Sequence, residues 1–253
     1  AVVQRSQMMG DRPGLLIAEH AGLVPRRFAE KNTHRIPDGL SYEIAALTEP
    51  LACVLHGMDA CELRGPSDVI VYGGGPIGLL FVGALGADGH RVTLADPNPG
   101  RLEAGRTLGA AETVAIARGG KQAEAVRGRA SRRDGFDVAV DATGVPEVWA
   151  DAIDSVRPGG IVNLFGGCAP GTTVPLDTHR VHYSEITLKG VYHHRPATVV
   201  RAIDLLSRRV FDARVLLSAE RPLEELEDAL RSMMRKEALK VVVKPRGEIG
   251  YLA

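Results

Sequence analysis

The sequence predicts an α/β protein built on a parallel sheet, and three observations carry that prediction. From residue 66 onward, short runs rich in valine and isoleucine alternate with helical patterns, the mark of successive strand–helix–strand units. Those runs are apolar along their whole length, as strands covered on both faces should be. Twenty-nine glycines accompany an aromatic content of only 4%, which suits a turn-rich α/β architecture and not an aromatic-lined barrel. With 253 residues and 45% apolar content, the chain can bury a real core as one large domain or two modest ones.

Taken in order, residues 1–50 have irregular apolar spacing and prolines at Pro13, Pro25, Pro37 and Pro50, so they read as part of another domain or as a covering segment. Strands follow at 68–72 (DVIVY), 91–96 (RVTLAD), 112–116 (ETVAI), 136–143 (FDVAVDAT) and 160–166 (GIVNLFG). Between them, helices are expected over Pro76–Ala87 and Pro99–Leu108, ending at Gly89 and Gly109, glycines suited to the left-handed position that closes a helix. A further helix over Val145–Val156 is closed by Pro158, Gly159 and Gly160. The tail adds a helix near Ala197–Arg208, a strand near Arg214–Ser218, a helix from about Pro222 to Arg235 and a last strand, Leu239–Val243. The uncharged run from Val69 to Ala87 approaches the ~20 residues needed to cross a bilayer. Its three glycines and Pro76 would break a spanning helix in the middle, so it reads as strand, tight turn and helix.

Composition excludes several classes of function. Lys and Arg number 31 and so do Asp and Glu, which leaves no net field to gather nucleic acid or an anionic membrane surface. The one basic cluster, Arg127, Arg129, Arg132 and Arg133, is expected on a solvated surface helix beside Glu124 and Asp134. Cys53, Cys61 and Cys168 are odd in number and widely spaced, so they build neither a disulfide framework nor a zinc knuckle, and a reducing cytoplasm fits them best. The opening residues do not read as a secretory signal, and they lack an initiator Met, which points to a processed, trimmed or fragmentary start. Neither a G-x-S-x-G nor a P-loop string occurs, which sets aside nucleophilic hydrolases and kinase-like phosphoryl transfer.

The segment Gly73-Gly74-Gly75-Pro76-Ile77-Gly78 fits G-x-G-x-x-G between a strand and a helix. Gly73 permits the sharp turn, Gly75 lets backbone approach a pyrophosphate, and Gly78 allows close packing of helix on strand. The helix N-terminus that follows directs N–H groups and partial positive charge at phosphates. Asp96 ends the next strand, 18 residues beyond Gly78, where a carboxylate accepts hydrogen bonds from ribose hydroxyls and repels a 2′-phosphate. These features favour NAD over NADP, although Arg101 is a cation that could receive a phosphate. Glycine turns of this shape also serve methyltransferases, but Pro76 in the first helical turn and the strand-end Asp96 suit a dinucleotide better.

The run IPDGLSYEIAALTEPLACVLHG (36–57), with VIVYGGGPIGLL, ADPNPGRLEAGRTLGA, DVAVDATG, RPGGIVNLFGG and LKGVYHH after it, resembles the medium-chain zinc-dependent alcohol dehydrogenase superfamily. Its polyol (sorbitol or iditol) and threonine dehydrogenase branch is the most similar, and the likeness runs from Phe28 to Pro245. The resemblance implies a Rossmann domain, a doubly wound parallel sheet, inserted in a GroES-like catalytic domain that is N-terminally shortened here. Residues 1–51 would be a remnant of the catalytic domain, 52–195 the NAD-binding domain and 196–253 the C-terminal catalytic part. It further implies hydride transfer between a secondary alcohol and NAD, with Thr143, Gly144, Phe165, Gly166, Gly167, Tyr192 and His193 near the nicotinamide, and a homo-oligomer pairing its sheets edge to edge.

In that family a zinc ion polarises the substrate hydroxyl. Glu49, in Glu49-Pro50-Leu51, is similar to the carboxylate that approaches the zinc, and His56 on the same helix is a proton-relay candidate. No cysteine precedes Cys53, and Glu19-His20 reads as surface polar residues, so Glu49 stands as the only expected metal residue and the zinc site is expected to be incomplete. His179 with His182, and His193 with His194, read as solvent-facing or cofactor-contacting. Two other readings remain open on the residues alone: a zinc-free quinone- or enoyl-type reductase, and an NAD(H)-binding protein without turnover.

Overall fold

The computed structural model describes residues 2–3, 33–117 and 121–244. Glu19 and His20 lie outside the described residues, as do Pro13 and Pro25. In chain order the described elements begin with β1 (Val2–Val3), which pairs antiparallel with β2 (Thr33–His34), then α1 (Tyr42–Ala45) and α2 (Thr48–Ala60). The central part runs β3 (Asp68–Tyr72), α3 (Pro76–Ala87), β4 (Arg91–Asp96), α4 (Pro99–Thr107), β5 (Glu112–Ala115), α5 (Ala123–Arg127), β6 (Phe136–Asp141), α6 (Pro146–Ser155) and β7 (Val156–Leu164). It continues through α7 (Thr178–Tyr183) and β8 (Thr187–Gly190) to α8 (Pro196–Ser207), β9 (Leu217–Pro222), α9 (Leu226–Met234) and β10 (Lys240–Lys244).

Six strands form one parallel sheet in the order β5-β4-β3-β6-β7-β8. The chain builds outward from β3 through β4 to β5, then returns to β6 and builds the other way. The two halves part between β3 and β6, and a crevice opens there beyond the carboxyl ends of the strands. Every residue of β3 is buried: Val69 and Val71 enter a core shared with Leu51, Leu55, Leu79, Leu80 and Leu206, whereas Ile70 and Tyr72 enter one shared with Phe136, Ala152 and Val162. Side-chain alternation along one strand thus feeds both layers, which is why the strand is continuously apolar.

The expected helices and strands are present, and their ends follow local chemistry. Asn98 caps α4 by accepting from Gly100 N at 2.8 Å, Pro99 occupies its first turn, and Gly109 follows its end at φ +99°. Three elements start three or more residues away from expectation. The sheet strand expected at 160–166 starts earlier, at Val156, because the chain passes straight from α6 into β7 and pairs Phe136 with Val156 before a register shift. Near Arg214 a short 3-10 turn, Ala213–Leu216, opens because the Asp212 carboxylate accepts from Arg214 N, and β9 begins only at Leu217. After Pro222 a second 3-10 turn, Leu223–Glu225, precedes α9. The basic cluster is also displaced from its expected helix: α5 ends at Arg127, whose guanidinium donates to Asp134 O at 2.8 Å, and Arg129, Arg132 and Arg133 lie beyond it.

α2 packs against α3 on one side and α8 on the other. Arg201 of α8 grips Asp59 of α2 with two bonds of 2.7 and 2.9 Å. The helix runs unbroken across residues 51 and 52, and Leu51 and Ala52 are both buried in the core.

Candidate active site

The glycine turn leaves β3 at Tyr72. Gly73 adopts φ +96°, a conformation costly for any side chain, and its N–H donates to Ala95 O at 2.8 Å. A Cβ on Gly78 would lie 1.7 Å from Gly73 O, so only glycine lets α3 sit this close to the turn it follows. At Gly75 a Cβ would meet nothing within 4 Å, which leaves the backbone open to an incoming group. Pro76 occupies the first turn of α3, Ile77 packs on the core, and no side chain caps this helix, so its N-terminus keeps its positive end for a ligand.

Asp96 closes the turn from the side. Its Oδ2 accepts from Gly74 N at 2.6 Å and its Oδ1 from Asn98 N at 2.7 Å, while Arg101 Nη1 stands 3.8 Å from Oδ2. The carboxylate is 2% exposed and joins the loops after β3 and β4, and each oxygen retains a second lone pair. The glycine turn, Asp96 and Arg101, which the sequence singled out together, thus adjoin one another.

Across the switch point, Asp141 organises the loops after β6 and β7. Its Oδ1 accepts from Thr143 N at 3.0 Å and Thr143 Oγ1 at 2.5 Å, and its Oδ2 from Gly144 N and Trp149 Nε1, each at 3.1 Å. Burial pushes its pKa up, against the pull of these donors. Gly144 takes φ +67°, and a Cβ on Gly166 would lie 2.2 Å from Gly144 N, so the two loops abut at backbone distance. Phe165 packs edge-on against Phe81 with centroids 5.0 Å apart, and Gly167 is open on its free side. Sequence reasoning missed Asp141 and Trp149; an acidic residue ending a buried strand, with an indole eight residues later, was the available signal.

At the mouth, α2 presents Glu49 and Cys53 one turn apart, and Cys53 Sγ donates to Glu49 Oε1 at 3.3 Å. Burial, then the Glu49 charge, pushes the Cys53 thiol up to about 12. His193 enters from the segment after β8 at φ +63°, with Nδ1 3.8 Å from Glu49 Oε1. Its carbonyl accepts from His56 Nδ1 at 2.8 Å, which assigns the His56 proton to Nδ1 because a carbonyl only accepts. Both ring nitrogens of His194 are buried without a hydrogen-bond partner, and burial, followed by His193, lowers its pKa. Tyr192 is 87% exposed. His179 and His182 pack around Tyr183 on the surface of α7.

The donor atoms of Glu49, Cys53 and His193 all lie within 4.8 Å of one another. Atoms bound tetrahedrally to one zinc ion at about 2.0–2.3 Å stand roughly 3.3–3.8 Å apart; Glu49 stands 3.3 Å from Cys53 and 3.8 Å from His193, and the third separation is within 4.8 Å. Oxygen, sulfur and nitrogen are also the donors zinc takes, so the residues present fit the ion. Glu49, the one metal residue expected from the sequence, thus has Cys53 and His193 beside it. Their separation along the chain hid the pairing, although Glu49 and Cys53 at i, i+4 on one helix face were a visible signal.

Known proteins are similar to this chain in sequence and in fold. Residues 76–208, more than half of the chain, match the family model described as zinc-binding dehydrogenase. Sorbitol dehydrogenase of Bacillus subtilis (strain 168) is 32% identical over 213 residues, covering 83% of this chain and 59% of that protein. L-threonine 3-dehydrogenase of Idiomarina loihiensis is 26% identical over 234 residues, covering 92% and 65%. Alcohol dehydrogenase TADH from Thermus sp. ATN1 superposes with a TM-score of 0.79 at 26% identity, covering 87% of this chain and 64% of that one. The chain thus spans less than two thirds of the length of each of these relatives. A doubly wound sheet with its glycine turn at the switch point, together with these matches, places the chain in the zinc-binding dehydrogenase family.

Proposed function

We propose that the chain is the dinucleotide-binding part of an NAD-dependent dehydrogenase that moves hydride between a secondary alcohol and NAD. The observation that carries this reading is the closed glycine turn, with Gly74 held on Asp96 and Gly75 left open beside an uncapped helix N-terminus. The pyrophosphate would rest on Gly73–Gly78 and the end of α3, and the adenosine ribose against Asp96, with Arg101 beside it. Thr143, Gly144, Phe165, Gly166 and Gly167 would form the wall against which the nicotinamide lies, with Tyr192 and His193 at its open edge. The relatives' own names, sorbitol dehydrogenase and L-threonine 3-dehydrogenase, support a polyol, sugar alcohol or 3-hydroxy amino acid as substrate.

When bound, zinc supplies Lewis-acid polarisation of the alcohol oxygen, and Glu49, with Cys53 and His193 in reach, would hold it. His56 fixes the His193 backbone through Nδ1, which leaves its Nε2 to take up or pass on a proton. The division at 1–51, 52–195 and 196–253 belongs to the same proposal, as does assembly of copies through the edge of β8, which pairs only with β7 among the described residues. So does a reducing, cytoplasmic setting for the three free cysteines. The zero net charge supports a small-molecule partner rather than nucleic acid, and among the described residues no helix is long and apolar enough to cross a membrane.

Incubating the chain with NAD and a panel of polyols, simple secondary alcohols and threonine, and following NADH formation, tests the reading. Production of NADH with one of these classes is the expected outcome. Binding of NADH without turnover of any alcohol would instead leave a non-catalytic dinucleotide-binding protein.

A further inference from the structure

We propose that the cavity at the amino ends of β3, β6 and β7 binds a small phosphorylated molecule, with Arg64, Arg132 and Arg157 around its phosphoryl dianion. The cavity lies at the far end of the sheet from the glycine turn. β3 begins beside it at Asp68 and ends at Tyr72, where the turn starts, and a rise of about 3.3 Å per residue puts those ends roughly 13 Å apart. The inference therefore stands apart from the dehydrogenase reading.

Three segments remote in sequence enclose the space. They are the connection from α2 to β3, which carries Arg64, the loop after α5, which carries Arg132, and the start of β7, which carries Arg157. Val138 and Ile161 of the sheet supply apolar lining. The cavity holds about 270 Å³, just under the roughly 300–1,000 Å³ of pockets for drug-sized ligands, so it suits a compact polar molecule. Arg132 belongs to the basic run that the sequence placed on a solvated face; the fold instead sets it at the rim of this cavity, beyond the end of α5.

Charge decides what the cavity can hold. Its two acids are already matched: Glu62 pairs with Lys189 of β8, and Asp137 accepts from Arg157 Nε at 2.7 Å and from Asp68 N at 2.8 Å. Burial raises the Asp137 pKa, but the Asp68 N–H, Arg157 and the Arg132 charge together hold it below the ordinary carboxylate value, so it stays ionised and keeps Arg157 in place. Arg157 gives a second N–H to Pro158 O at 2.7 Å, which leaves three of its five for a ligand. Arg64 and Arg132 form neither an ion pair nor a hydrogen bond among the described residues. Two positive charges are therefore unmatched in one small space. A phosphate monoester carries about −1.5 to −2 on a single group at pH 7, and guanidinium forks pair with its oxygens two at a time. The carbonyls ending α2, which would repel an anion, are occupied: Gly57 O accepts from Cys61 Sγ and Asn163 Nδ2, Met58 O from Cys61 N, and Asp59 O from Glu62 N.

Glycerol phosphate serves as the probe, titrated calorimetrically into the full chain at neutral pH and fixed ionic strength in a phosphate-free buffer. One equivalent should bind, with the same affinity whether or not NADH is present. Arg64→Ala and Arg132→Ala should each weaken it roughly 10–100-fold, as loss of a charge-assisted hydrogen bond does. Both side chains are exposed, so the melting temperature should hold. Arg133→Ala, adjacent in sequence but outside the cavity lining, should leave the affinity unchanged. Absence of binding would overturn the proposal, and so would an Arg133→Ala loss equal to that of Arg132→Ala, which marks diffuse surface charge. Displacement of the probe by NADH would place it on the glycine turn and also overturn the proposal. Succinate binding as tightly as glycerol phosphate would overturn the choice of a phosphoryl group. NADH titrated alone reports the dinucleotide site separately, so a chain that binds the probe at these arginines without binding NADH keeps this proposal and defeats the dehydrogenase reading.

Discussion

At Gly78 a single missing carbon decides whether the glycine turn can form. A methyl group there would lie 1.7 Å from Gly73 O, backbone against backbone, with no side chain able to move aside. Gly78→Ala should therefore destabilise the protein by about 3 kcal/mol or more, seen as a lower urea midpoint, and an unchanged midpoint would refute the close approach. Gly73, Gly75, Gly78 and Asp96 were legible in the sequence because their roles depend on short spacings within one strand–turn–helix unit and the strand after it. Asp141 was not, because its four hydrogen bonds to Thr143, Gly144 and Trp149, all within eight residues, follow from how the turn after β6 folds and match no spacing that singles out an acid at a strand end. Cys53 and His193 were hidden for another reason: one lies on α2 and the other follows β8, and only the closed sheet brings them together.

Between elements, α1 is tied to the small parallel sheet of β9 and β10. Lys244 of β10 reaches Glu43 of α1 at 2.5 Å and Glu220 of β9 at 2.8 Å. The Lys244 hydrogen bond is the largest cause that holds Glu43 at about 2, below its ordinary 4.5. A carboxylate whose folded-state pKa is lowered stabilises the fold above its unfolded value, and that contribution fades as pH falls from about 4.5 toward 2. Lys244 is 47% exposed, so solvent screens the pair and its contribution is small. Urea unfolding at pH 5 and at pH 3 should show a smaller acid loss for Glu43→Gln than for the parent chain, and equal losses would remove the pair from the account. The elements themselves were readable wherever Pro opened and Gly closed a helix, as in α3 and α4. Reading failed near Ala213 and Leu223, where short 3-10 turns carry no periodicity of their own.

At the scale of the molecule, the parallel sheet performs two tasks at its carboxyl ends. It places an uncapped helix N-terminus and Asp96 on one side of the switch point, and the Asp141-centred loops on the other. The Glu49, Cys53 and His193 cluster stands at the edge of this arrangement, carried by α2 and by the segment that follows the last strand of the sheet. The dehydrogenase reading depends on a dinucleotide bound beyond the carboxyl ends of the sheet, so NADH binding by isothermal titration calorimetry is the most direct measurement. The account predicts one NADH per chain, bound more tightly than NADPH. A charge-assisted hydrogen bond contributes about 1.5–3 kcal/mol, so Asp96→Ser should weaken NADH roughly 10–100-fold and narrow the preference over NADPH. No binding of either nucleotide to the parent chain, or identical affinities for both in parent and variant, would contradict it.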